Sequence, residues 1–126
     1  MCHALVIEDE FLIADYVAEL AGEAGATSVD FAETERDAVA AARERRPDII
    51  LSDVNLLVGS GPSAIMKIRN EIGDVPVIFI TAYPERLLTG ERPEPTYLVT
   101  KPFQEGTVRA AISQALFFDQ STVPAA

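Results

Sequence analysis

Short apolar runs alternate along the chain with longer stretches in which apolar residues return every three or four positions. Ala4–Ile7 is apolar without interruption, as a strand covered on both faces must be, and Asp48–Ser52 and Val75–Ile80 read alike. Ser28–Phe31 and Thr96–Val99 are weaker strand candidates. Between the first two strands, Ile13, Val17, Leu20, Ala21 and Ala24 mark a helical stripe that Gly25 can end. Thr34, followed three residues later by Asp37, predicts the start of a second helix, limited by Pro47. Ile65, Ile68 and Ile72 form the stripe of a third helix. Val108, Ala111, Ile112, Ala115 and Leu116 form that of the last, with Pro102 close to its start. From Pro84 to Pro95 the prolines and weak periodicity predict at most a short, mobile helix. Such strand–helix alternation predicts an α/β fold, a doubly wound (βα)5 sandwich with a parallel sheet in the order 2-1-3-4-5. Residues 1–120 are expected to form one domain, and 121–126 a flexible tail.

Composition narrows the class. A chain of 126 residues with 48% hydrophobic content suits a single domain with its own core. No apolar run approaches the roughly 20 residues that a bilayer requires. The N-terminus lacks the features of a secretory signal, so a cytoplasmic location and no membrane partner are expected. Cys2 is the only cysteine, which speaks against a disulfide or a thiolate metal site. The net charge of -10 opposes direct binding to nucleic acid and leaves proteins or cations as partners.

The chemistry is expected at the carboxyl ends of the strands, where loops diverge and leave a crevice. The first polar residues past the apolar runs are Glu8, Asp9 and Glu10, then Asp53, Thr81 and Lys101. In the order 2-1-3-4-5, strands one and three are neighbours, so the acids at 8, 9 and 53 converge. Like charges that close repel, and a hard divalent cation relieves them; few carboxylates with retained waters suit Mg²⁺. Asp53 can then act as nucleophile toward a phosphoryl donor, with Lys101 and Thr81 meeting the phosphoryl oxygens. Each residue also has a plainer reading. The acids suit the N-terminus of a helix, Asp53 a turn, Lys101 a solvated surface, and Thr81 an ordinary strand end. Only their joint placement at one end of the sheet favours chemistry. His3 is read as structural, and Phe11, Phe31, Phe103, Phe117 and Phe118 as packing residues.

From VIEDE near the start to KPF at Lys101, the chain resembles the receiver domains of response regulators, which have a flavodoxin-like, CheY-like fold. The resemblance implies Asp53 as phosphoacceptor and Glu8 and Asp9 as the metal pair. It further implies the main-chain carbonyl of Asn55 as a metal ligand, Thr81 as switch hydroxyl and Lys101 as phosphate-binding cation. Receivers usually carry a rotating aromatic three residues before the lysine, where this chain has Leu98; Tyr97 lies on the opposite strand face. PVIFITAY, from Pro76 to Tyr83, is similar instead to the motif of the FAT GUY receivers, which gives Tyr83 a switching role. The loop VGSGP also lacks the proline found four residues after the acceptor in many receivers, again as in that subgroup. ERLLTGERPEPTYLVTKPF is similar to the alphaproteobacterial general stress response branch.

These likenesses imply a single-domain regulator phosphorylated by a sensor histidine kinase with Mg²⁺, possible further partners being a histidine phosphotransferase or a downstream regulator. Such a domain assists only its own phosphorylation and dephosphorylation. An alternative is the receiver of a longer sigma-factor-mimic regulator. A pseudo-receiver that works unphosphorylated is another class, against which the intact acid, threonine and lysine set argues. A flavodoxin-like mononucleotide enzyme is a third, which Glu8, Asp9 and Glu10 disfavour by repelling a phosphate.

Overall fold

Five parallel strands line up in the order β2-β1-β3-β4-β5. They are β1 (His3–Ile7), β2 (Ser28–Ala32), β3 (Ile49–Ser52), β4 (Val77–Thr81) and β5 (Thr96–Thr100). Four helices accompany them among the described residues: α1 (Phe11–Glu23), α2 (Glu35–Glu44), α3 (Gly61–Ile72) and α4 (Glu105–Ser121). The structure, a computed structural model, describes residues 2–56, 58–82, 96–101 and 104–121. The short helix expected between Pro84 and Pro95, Tyr83 and the tail at 122–126 lie outside them; Ser121 closes α4.

The sheet is the predicted one, and its central strands are buried along their whole length because helices cover both faces. On one face Val6, Leu51, Ile78 and Val99 pack with Val17 and Leu20 of α1 and Val108 and Ile112 of α4. On the other, Leu5, Ile7, Ile50, Val77 and Phe79 pack with Ala38 and Ala42 of α2 and Ile65 and Ile68 of α3. Tyr97 joins the first cluster and Leu98 the second, as strand alternation requires.

Local signals explain the boundaries. Thr34 caps α2 by accepting from the Asp37 N–H at 3.1 Å. Gly25, at φ 124, follows the last turn of α1 in a backbone region that costs glycine nothing. β4 starts at Val77 rather than Val75, because Pro76 has no N–H to give a ladder, although its carbonyl accepts from Ile50 N–H at 3.0 Å. β3 starts at Ile49, and Asp48 instead accepts the His3 N–H on Oδ2 at 2.7 Å. The His3 ring is buried and bonds to Ser28 Oγ at 2.8 Å and Asp30 Oδ2 at 2.9 Å, a structural role. Two expectations are corrected: Phe11 is 78% exposed and Phe31 52%, so neither is a core residue. Phe11 sits at the mouth of α1 ahead of its apolar stripe, and Phe31 on an edge strand with one flank open.

A carboxylate crevice at the carboxyl edge of the sheet

β1 runs straight into Glu8 and Asp9, and β3 into Asp53. The register places Ile7 beside Ser52, so the residues that follow each strand emerge side by side. Two main-chain bonds fix this edge: Asp53 N–H to Ile7 O at 2.9 Å and Glu8 N–H to Ala32 O at 2.9 Å. Carboxylate oxygens of Glu8, Asp9 and Asp53 all lie within 4.8 Å of one another. Lys101 reaches in from the end of β5, its Nζ 3.3 Å from Glu8 Oε1 and 3.3 Å from Asp53 Oδ2. Its own N–H is held by Thr81 O at 2.8 Å, which ties the lysine to the end of β4. Thr81 is fully buried at that strand end. Asp9, Glu10, Asp53, Asn55, Ala82 and Lys101 line a crevice of about 440 Å³. The structure thus brings together Glu8, Asp9, Asp53 and Lys101, with Asn55 on the wall; Thr81, buried at the end of β4, joins them through its carbonyl bond to Lys101.

The electrostatics follow from burial. Glu8 is only 5% exposed. Loss of water pushes its carboxyl up to about 7, and the Asp53 charge adds to the rise; Lys101 and the Glu10 N–H oppose it without cancelling it. Burial alone would lower the Lys101 ammonium, but the two carboxylates outweigh it and hold the group above its ordinary value. Three acids facing one ammonium therefore form a pocket short of positive charge, and hard oxygen donors of this kind fit a divalent cation such as Mg²⁺.

Two supporting residues escaped the sequence reading. Ser52 Oγ donates to Asp53 O at 2.8 Å, and Asp53 Oδ1 accepts the Val54 N–H at 2.7 Å, so both the main chain and the side chain of Asp53 are held. Gly61 opens α3 directly against the same carbonyl: a Cβ there would lie 1.9 Å from Asp53 O and 2.6 Å from Ser52 Oγ. The signal for Ser52 was a buried polar residue closing an apolar run. For Gly61 the sequence offered only a glycine within a loop.

The sequence profile described as "response regulator receiver domain" matches residues 4–113. The phyllosphere-induced regulator PhyR of Methylorubrum extorquens is 51% identical over 118 residues, which are 93% of this chain and 44% of that protein. The chain therefore spans less than half the length of that relative. The solution structure of the Erythrobacter litoralis PhyR response regulator REC domain is 50% identical with a TM-score of 0.83, covering 99% of this chain and 95% of that one. Chemotaxis protein CheY4 of Vibrio cholerae has a TM-score of 0.81 at 28% identity, covering 92% of this chain and 99% of that one. Among the described residues no helix is long and apolar enough to cross a membrane. The chain belongs to the response regulator receiver family, the signalling domains of two-component systems, and resembles the receivers of PhyR proteins.

Proposed function

We propose that this domain accepts a phosphoryl group on Asp53 from a sensor histidine kinase, in a Mg²⁺-dependent reaction, and passes on a general stress signal as a phosphoswitch. The observation that carries the reading is the ammonium of Lys101, 3.3 Å from both Glu8 and Asp53, inside a crevice holding a third carboxylate. Glu8, Asp9, Asp53 and the main-chain carbonyl of Asn55 would hold Mg²⁺. When bound, it supplies positive charge to the phosphoryl oxygens.

The Asp53 carboxylate attacks phosphorus and forms an acyl phosphate while the P–N bond to the donor imidazole breaks. The imidazole, protonated on its other ring nitrogen, leaves neutral. Lys101 neutralises charge that spreads over the equatorial oxygens, and the Thr81 hydroxyl donates to one of them. New contacts at Thr81 and Lys101 then bias a two-state element, with Tyr83 as its switching aromatic. A histidine phosphotransferase or a downstream regulator protein would receive the signal in the cytoplasm.

The test is phosphorylation by a small-molecule phosphodonor, with and without Mg²⁺, in the native chain and Asp53→Asn. Labelling should require Mg²⁺ and vanish in the variant; equal labelling of both removes Asp53 from its role. A second reading draws on the length of PhyR, of which this chain matches 44%, and on a Bartonella quintana relative described as "anti-anti-sigma factor PhyR". In it the same chemistry serves a longer regulator whose partner is a sigma-factor antagonist.

A further inference from the structure

Glu35 opens α2, outside the crevice, yet it is bound along the loop that follows Asp53. Its N–H donates to Val58 O at 3.2 Å, and Thr34 beside it forms a parallel bridge with Val58. Its Oε1 accepts the Ser60 N–H at 3.2 Å. Its Oε2 accepts Ser63 Oγ at 2.8 Å and lies 2.5 Å from Lys67 Nζ. Despite its place on a surface helix, the side chain is only 14% exposed. Gly59, at φ 89, passes so close that a Cβ there would sit 2.5 Å from Glu35 Cβ.

Ser60 is the N-cap of α3, and its Oγ accepts the Ser63 N–H at 3.2 Å. In a capping box, the residue three positions on is a Glu or Gln that reaches back to the N–H of the cap. Here that position holds Ser63, and Glu35 supplies the missing carboxylate from another helix. The N-terminus of α3 favours the charge, and hydrogen bonding to Lys67, then to Ser63 and Ser60, keeps the carboxyl below its ordinary value. Ser60 in turn pairs with Asn55 in an antiparallel bridge, and the Gly61 N–H closes the loop on Val54 O at 2.9 Å. Glu35 therefore connects to the crevice wall at Asn55 through its side-chain bond to the Ser60 N–H and the Ser60–Asn55 bridge.

We infer that Glu35 is a positioning residue for the cation site: by holding Ser60, and through it Asn55, it orders the loop from Val54 to Gly61 before the metal arrives. The inference rests on the Mg²⁺ reading above. A loop that must order itself at the moment of binding lowers the apparent affinity by the fraction of time it is competent. Partners that orient ligands from behind act in this way.

The experiment titrates the full chain with Mg²⁺ alone, followed by amide NMR, and measures hydrogen exchange without metal. The proteins are the native chain, Glu35→Ala, Glu35→Gln and Lys67→Met. Glu35→Ala should weaken Mg²⁺ binding on the order of tenfold. It should also speed exchange across Val54 to Gly61. Glu35→Gln, which keeps an acceptor oxygen, should lose less, and so should Lys67→Met, which removes one partner of the carboxylate but leaves its bond to the Ser60 N–H. At saturating Mg²⁺ the phosphorylation rate of Glu35→Ala should return to the native value. If Glu35→Ala does not fold, the affinity of Glu35→Gln decides alone. Native Mg²⁺ affinity in a folded Glu35 variant, or a reduced rate that saturating Mg²⁺ does not restore, overturns the inference while leaving Asp53 phosphorylation in place. A native chain that binds no Mg²⁺ overturns the functional reading and this inference together.

Discussion

Lys101 lies within hydrogen-bond reach of both the Glu8 and the Asp53 carboxylates, and replacing it exposes what it was compensating. In Lys101→Met, Glu8 and Asp53 repel without relief whenever both are ionised. The variant should therefore lose more stability at pH 8 than at pH 5, where Glu8 is protonated, a difference readable by thermal melting in EDTA. Gly61 makes the opposite kind of demand, for absence of a side chain. Gly61→Ala forces a methyl group into the carbonyl of Asp53, which is backbone and cannot swing aside. It should cost about 1–3 kcal/mol in stability and slow phosphorylation; an alanine variant with native melting and labelling would contradict the close contact.

Helix ends and strand ends are where sequence and structure can be compared most directly. Thr34→Ala removes the acceptor of the Asp37 N–H and should lower stability by about 1 kcal/mol in a denaturant melt. That cap was legible because its two residues are three apart in the chain. The apolar runs at Ala4–Ile7 and around Ile49 were legible for a similar reason: strands buried on both faces leave no room for a polar alternative. Once the strand order was inferred, the convergence of Glu8, Asp9 and Asp53 followed from register alone. The cap on α3 was not legible, because half of it comes from Glu35, 25 positions before Ser60. Phe11 and Phe31 misled for another reason. Hydrophobicity says that a residue can be buried, and only the neighbouring elements decide whether anything covers it.

At the scale of the molecule, the buried acid makes folding respond to pH. The Glu8 carboxyl rises from 4.5 to about 7 in the folded chain, so the folded state holds a proton more tightly than the unfolded one. Its contribution is fully present below about 4.5 and is lost as pH rises through about 7. Relative to Glu8→Gln, the metal-free native chain should lose stability across that window, and Mg²⁺ should restore it at the upper end; parallel curves for the two proteins would contradict the assignment. The Lys101–Glu8 contact also spans 93 positions. During synthesis on the ribosome, Glu8, Asp9 and Asp53 emerge well before the lysine does. A nascent chain stopped short of Lys101 would have to gather three negative charges without their counterweight, and closing so long a connection is entropically slow. Completion of the crevice therefore waits for translation of the fifth strand, which makes that segment the gatekeeper of an assembled charge cluster.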